Sequence, residues 1–320
     1  MSLEKKVVPT LDSRALDTSR FDNVPVFNKA VPGEADAPEA QRCFGGAWYH
    51  KVMSSRDTWL GIEGVITLGE FIPDDKRFGL DKYERYMDNP SVYMGGHCDF
   101  ESDAGLGMNV GYEDQDTSKP LDQNSPKVAW RPFWRYIYSD IKDQDGNVLR
   151  RNFNSWNISD PRNFQYYYLP GDTIRMSVYS PAKDYLQLRI EIIEPTTIPK
   201  YVEQRKRYGL NAPGTFYSPI FHSEGQGSGK AALFKRVNSI DQFGNEGGVA
   251  KVTDATVTPA EWKEVYLYRE IDGTLQKVPF NASRWASMSC PDARAYTVSY
   301  EGLEAQKGAE RIEIHPGRTK

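Results

Sequence analysis

The densest group of side chains able to do chemistry is Asp99-Phe100-Glu101-Ser102-Asp103. On an extended strand alternate residues share a face, so these three carboxylates would line one side about 7 Å apart. Crowded carboxylates drive one another's pKa values apart, and one can keep its proton as an acid while another serves as base or nucleophile. That reading makes Glu101 and Asp103 a hydrolase pair. The neighbouring Ser and Gly residues also suit a solvated or calcium-binding loop, which is the simpler reading of the same residues. No cofactor is expected, with structural calcium as the one exception left open.

A second group lies in two alternating runs. Arg175, Ser177 and Tyr179 share one parity, with Ile174, Met176 and Val178 on the other. Tyr185, Gln187, Arg189 and Glu191 alternate in the same way with Leu186, Leu188, Ile190 and Ile192. If the aliphatic set is buried, the polar set lines the opposite face. Tyrosine rings stack on sugar faces, and forked donors hold hydroxyls or carboxylates. Arg175, Tyr179, Tyr185, Gln187 and Arg189 are therefore the expected ligand contacts, with Arg236 and Asn238 on neighbouring strands. Tyr185, Arg189 and His222 would also supply the charge neutralisation and proton transfer of a polysaccharide lyase. The alternative is cross-strand pairing of polar residues on a wet sheet face.

The four histidines, His50, His97, His222 and His315, lack the i, i+2 or i, i+4 spacing of a metal pair. Only His97 has metal-ligand types beside it (Cys98, Asp99 and Glu101), and it is read as a hydrogen-bonded histidine, with no metal site expected. Asp143, Asp145, Gly146 and Asn147 look like the start of a calcium loop but lack its distal Glu, so a hairpin turn is expected there. In the glycine-rich stretch 222–230, Lys230 is followed by Ala231, which breaks the phosphate-loop pattern.

The elements that must position these residues are strands. Alternating, aromatic-rich segments are expected at 59–71, 91–96, 104–112, 128–138, 148–156, 164–169, 173–179 and 185–193. More follow at 217–222, 230–240, 248–257, 262–269, 284–288, 295–300 and 311–314. Pro170-Gly171-Asp172 and Ser180-Pro181-Ala182 supply turns. One short helix is expected at 198–210, as a charged surface insertion. In 128–138, Trp130, Trp134, Tyr136 and Tyr138 share a parity and are read as core rather than as a stacking platform. Trp262, Tyr266 and Tyr268 carry the same choice. Residues 1–40, polar and without periodicity, are read as an extended arm, and 41–320 as a single jelly-roll domain.

Strand rhythm, Gly95-Gly96 between strands, and the central hairpin of 168–192 together resemble the concanavalin A-like lectin/glucanase superfamily over about residues 45–316. The resemblance implies an all-β, antiparallel jelly-roll sandwich of two curved sheets, here with a short helical insertion. It implies a glycan site or polysaccharide-cleaving residues on the concave sheet. The acidic segment is similar to the Glu-x-Asp-x-x-Glu strand of laminarinase-type glycosidases. It departs from it in having Asp99, Glu101 and Ala104 at the three positions. The function expected is carbohydrate binding or polysaccharide processing, by a lyase or a glycoside hydrolase if an enzyme, with a structural surface protein as the remaining class.

Composition bounds these readings. The 320 residues are 39% hydrophobic and 26% charged with net charge −4, which suits a globular chain and gives no basic patch for nucleic acid. No stretch is long and apolar enough to span a membrane. The segment Met1-Ser2-Leu3-Glu4-Lys5-Lys6 lacks the apolar centre of a secretory signal, yet a secreted or cell-surface location is expected with the glycan reading. Cys43, Cys98 and Cys290 are an odd count without a Cys-x-x-Cys. Three buried thiols are expected, with one bridge and a free thiol as the alternative.

Overall fold

In the computed structural model the alternating segments become the strands of two stacked antiparallel sheets. The structure describes residues 18–79, 86–108, 129–142, 148–157, 166–207 and 214–320. The first strands are β1 (Ala47–Ser54), β2 (Gly61–Thr67), β3 (Phe71–Ile72), β4 (Asp88–His97) and β5 (Glu101–Gly107). Next come β6 (Arg131–Lys142), β7 (Val148–Asn157), β8 (Thr173–Tyr179) and β9 (Tyr185–Glu194). After the helix α1 (Pro199–Arg207) follow β10 (Phe216–Tyr217), β11 (Phe221–His222), β12 (Leu233–Gln242) and β13 (Thr256–Ile271). The chain closes with β14 (Thr274–Pro279), β15 (Trp285–Cys290), β16 (Tyr296–Ser299) and β17 (Glu310–Ile314).

One sheet has seven strands in the order β15-β1-β12-β4-β5-β6-β7, and the other ten. The main path of the second runs β10-β9-β8-β2-β13-β17-β16, with β11 on β9 and with β3 and β14 on β13. The core lies between the sheets and takes Val52, Val92, Met94 and Phe234 from the first. From the second it takes Ile62, Ile174, Met176, Leu188, Ile190, Leu267 and Ile312. All-β sandwich architecture is thus as expected.

Several elements differ from their expected form for identifiable reasons. β1 is buried at seven of its eight positions, so it shows no alternation to read. Expected strand 59–71 is split into β2 and β3 near Gly69, where any Cβ would sit 2.4 Å from the Thr258 carbonyl oxygen. Expected strand 217–222 is two two-residue strands divided at Ser218-Pro219, because proline brings no N–H to a ladder. Residues 248–255 form no strand, and of 166–169 only Tyr168 pairs, with Trp130. The turn at 143–147 and residues 109–112, 164–165 and 208–210 lie outside the described residues. Trp130, Trp134 and Tyr136 are core, while Tyr138 is exposed.

A bulge in β13 resolves the choice over Trp262, Tyr266 and Tyr268. Trp262 pairs with Ile66 but Glu264 pairs with Val65, so Lys263 is an extra residue. An inserted residue reverses which parity faces inward. Trp262 therefore points into the sandwich, whereas Tyr266 and Tyr268 point outward opposite Glu63 and Gly61.

The cysteine expectation is corrected. Cys43 and Cys290 form a disulfide, and Cys98 is a buried free thiol. The bridge joins the segment before β1 to the end of the edge strand β15.

Candidate active site

The central hairpin keeps the expected parity but not the expected openness. Tyr179, Tyr185 and Gln187 are buried. Tyr179 donates to the Gln187 side-chain oxygen (2.9 Å), whose amide donates to the Ser218 carbonyl (3.0 Å). Arg189 is ion-paired with Asp22 and lies 3.5 Å from Glu191. Arg175 pairs with Glu191 at 3.1 Å. The arm lies on top: Phe21 stacks on Tyr179 with ring centroids 4.4 Å apart and meets Tyr268 edge-on at 5.4 Å. The face expected to contact a ligand is thus covered at Tyr179 and Arg189.

Arg236 and Asn238 sit between the sheets, with 0% and 1% exposure, because their parity on β12 is the core-facing one of Phe234 and Ile240. His222 packs edge-on against Tyr136 and Tyr185 at 5.1 and 5.7 Å.

Glu101 and Asp103 do share a face of β5, on the outside of the seven-stranded sheet, while Asp99 precedes the strand. Lys235 is paired with both, at 2.8 Å from Asp103, and Arg135 donates to Asp103 at 3.2 Å through Nε. The ammonium of Lys235 also lies over the Tyr93 ring, 5.5 Å from its centroid. Nearby, Ser91 and Ser239 donate to Asp241 (2.7 and 3.1 Å). Burial raises the Asp241 carboxyl above its ordinary range despite these donors. Two cations on two carboxylates make a mutually neutralised cluster, which holds β4, β5, β6 and β12 in register.

A different constellation has the geometry of acyl-transfer chemistry. His50 on β1 lies directly across from Ser289 on β15. Its Nδ1 is 2.9 Å from Ser289 Oγ, and its Nε2 is 3.2 Å from Glu310 Oε2 on β17. Glu310 further accepts from Arg236 at 2.6 Å and from Tyr300 at 2.8 Å. Burial pushes the Glu310 carboxyl up, but the Arg236 charge and the His50 hydrogen bond outweigh it and hold the group well below the usual carboxylate range. An ionised carboxylate only accepts, so Nε2 carries a proton, and in the neutral form of the ring Nδ1 then presents its lone pair to the Ser289 hydroxyl.

Local structure explains both the burial and the access. In β1, Trp48, His50 and Val52 point inward, opposite Ile240, Asn238 and Arg236 of β12. Ser287 and Ser289 point the same way from β15, but β15 is an edge strand, so Ser287 is exposed and Ser289 partly exposed. His50 and Glu310 behind them are 3% and 0% exposed. The Arg236 guanidinium is held between Trp262 and Trp285, 5.3 and 5.2 Å from their rings. Its Nε and Nη1, and the Asn238 amide nitrogen, are buried donors without a hydrogen-bond partner. Among the described residues no group of three or more His, Cys, Asp or Glu could hold a metal ion.

None of Ser289, His50 and Glu310 carries a local motif. They are 239 and 260 residues apart from His50 onward, on three strands of two sheets. The one available signal was a histidine at an inward position between Trp48 and Val52, in a strand too buried to read.

No family model matches the chain, and no curated protein matches it. Among solved structures it resembles scytalido-glutamic peptidase bound to a peptide-based transition state analog. The identity there is 9%, over 84% of this chain and 98% of that one, with a TM-score of 0.43. The same peptidase with a transition state analog inhibitor gives 10% identity, 85% and 100% coverage and a TM-score of 0.42. SCP-B, a member of the eqolisin family of peptidases in a complex with the tripeptide Ala-Ile-His, gives 10% identity, 84% and 98% coverage and a TM-score of 0.34.

The expected carbohydrate function is corrected here. Of the side chains meant to hold a glycan, Tyr179 lies beneath Phe21, Arg189 is held by Asp22, Tyr185 and Gln187 are buried, Arg236 and Asn238 are enclosed between the sheets, and Arg175, 33% exposed, is paired with Glu191. The lyase and glycoside hydrolase readings fall with the glycan.

Proposed function

We propose that the chain is a hydrolase of carboxylic amides or esters, with Ser289 as nucleophile, His50 as general base and acid, and Glu310 as the group that orients and charges the imidazole. The observation that carries this reading is the continuous line Ser289 Oγ–His50 Nδ1–His50 Nε2–Glu310 Oε2. Each link is within hydrogen-bonding distance, and burial is graded from the partly exposed Ser289 to the fully buried Glu310.

A serine hydroxyl is a weak nucleophile until an adjacent base takes its proton. As Ser289 Oγ bonds to the substrate carbonyl carbon, its proton moves to His50 Nδ1. The imidazolium is stabilised by ionised Glu310 at Nε2, and the carbonyl oxygen becomes an oxyanion. Collapse of the tetrahedral intermediate breaks the bond to the leaving nitrogen or oxygen, which takes the proton back from His50. Water then repeats the sequence on the acyl-serine and releases the acid.

The two-sheet antiparallel architecture supports, as a proposal, the finer jelly-roll relationship with the concanavalin A-like superfamily. The Cys43–Cys290 bridge supports an oxidising compartment such as the cell exterior.

The test is labelling by a fluorophosphonate, with turnover of nitrophenyl esters and fluorogenic peptides. Wild type should be labelled on Ser289, and Ser289→Ala or His50→Ala should abolish labelling and lower turnover by at least 10³-fold. Full activity in Ser289→Ala would end the proposal.

A further inference from the structure

The arm that covers the ten-stranded sheet is bound in the manner of a peptide ligand. Phe21 is 2% exposed and lies in a box made by Tyr179 and Tyr268, with Leu60 and Leu275 at its rim. Asp22 places its carboxylate on Arg189, and Arg20 reaches Glu270 at 3.1 Å. Beyond them the chain extends along the edge of β14. The Phe27 N–H donates to the Lys277 carbonyl at 2.8 Å, and the Lys277 N–H donates to the Pro25 carbonyl at 2.9 Å. One aromatic anchor, one acid on an arginine and two main-chain hydrogen bonds to a strand edge are the components of β-strand addition.

The face beneath is organised by the sheet itself. Tyr268 donates to Glu63 at 2.7 Å, Tyr179 to Gln187, and Lys277 to Glu63 at 2.8 Å. Phe21 and Val24 form with Tyr179 and Tyr268 a cluster separate from the main core, so lifting this part of the arm opens no core cavity. Its Arg20–Glu270 pair is a weak tether, since the two side chains are 41% and 56% exposed and exposed pairs contribute little, while Asp22, 48% exposed, sits on an Arg189 that is 17% exposed. A cleft of about 440 Å³ continues past Arg20, walled by Leu60, Pro181, Lys230 and Glu270.

From this we infer a second site, independent of Ser289: the outer face at Tyr179, Tyr268, Arg189 and β14 binds extended peptides that carry an aromatic residue followed by an acidic one. Residues 20–27 occupy it in cis. A peptide from another chain and the arm therefore compete for one surface.

The test uses the full-length chain and a fluorescent peptide copying residues 16–28. In the double variant Phe21→Ala/Asp22→Arg the arm is released, and the peptide should bind at least tenfold more tightly than it does to wild type. A peptide carrying Phe21→Ala should lose that gain. Asp22→Arg alone, an exposed charge reversal that leaves the aromatic cluster intact, should give an intermediate gain and serves if the double variant does not fold. Binding to the folded variants no tighter than to wild type, or unaffected by the Phe21→Ala change in the peptide, would overturn the inference.

Discussion

Glu310 is fully enclosed and accepts from His50, Arg236 and Tyr300, so its charge is compensated entirely by protein. Removing it leaves the Arg236 charge between two indole rings with no counter-ion. Glu310→Ala is expected to cost about 3–5 kcal/mol, the usual penalty for breaking a buried pair, read from urea midpoints. The same carboxylate sets a pH dependence. Its folded pKa lies below the unfolded value, which is about 4.3 for glutamate. Its contribution to stability is therefore complete above that value and is lost as pH falls toward the folded one. Unfolding free energy measured from pH 7 down to pH 3 should fall more steeply in wild type than in Glu310→Gln. Equal slopes would show that Glu310 is not held ionised. Tyr300, which donates to Glu310, is pushed up to about 12 by burial and by that negative charge, so it stays a donor through the same range.

Among the elements, the β13 bulge has the sharpest consequence. Lys263 is the extra residue, so removing it would pair Trp262 and Glu264 with Ile66 and Val65 in an unbroken ladder and keep every facing C-terminal to it. Tyr266 and Tyr268 would stay outward and Val265 and Leu267, both 0% exposed, inward, whereas removing Lys263 and Glu264 together would exchange the two sets. The double deletion is expected to abolish folding, seen as loss of soluble protein and of near-ultraviolet dichroism, whereas the chain without Lys263 alone should still fold and Lys263→Ala should change stability by less than about 0.5 kcal/mol. The turn before β8 makes a second case. Asp172 accepts from the Leu169 and Thr196 backbone N–H groups at 2.7 Å each, and from Arg205 of α1 at 2.6 Å. Burial raises its carboxyl despite the Arg205 charge, so this group makes stability fall, not rise, as pH climbs through its folded value. Asp172→Ala should still cost about 3–5 kcal/mol, because Arg205 would be left buried alone. The helix expected as a surface insertion is thus docked, with Tyr201 and Arg205 buried. Both the bulge and the docked helix escaped the sequence reading for one reason. A parity reversal and a long-range counter-ion are defined by a partner strand or turn, and neither leaves a mark in the local pattern.

At the scale of the whole molecule, the disulfide spans 247 residues and fastens the segment before β1 to Cys290, the neighbour of Ser289. Cross-linking so long a loop restricts the unfolded chain, and Cys43→Ser is expected to lower stability by up to about 5 kcal/mol, measured against the oxidised wild type in urea. It should also slow fluorophosphonate labelling, because the edge strand that presents Ser289 loses its fastening. Alternation in the chain was enough to determine an antiparallel sandwich, because a strand that buries one face must repeat every second residue. It also determined which residues of the central hairpin share a face. Only the tertiary structure decided that this face is covered by the arm, that Arg236 and Asn238 are interior, and that Ser289, His50 and Glu310 meet. Covering and convergence depend on contacts between residues more than 150 positions apart, and periodicity carries no information about distance across the fold.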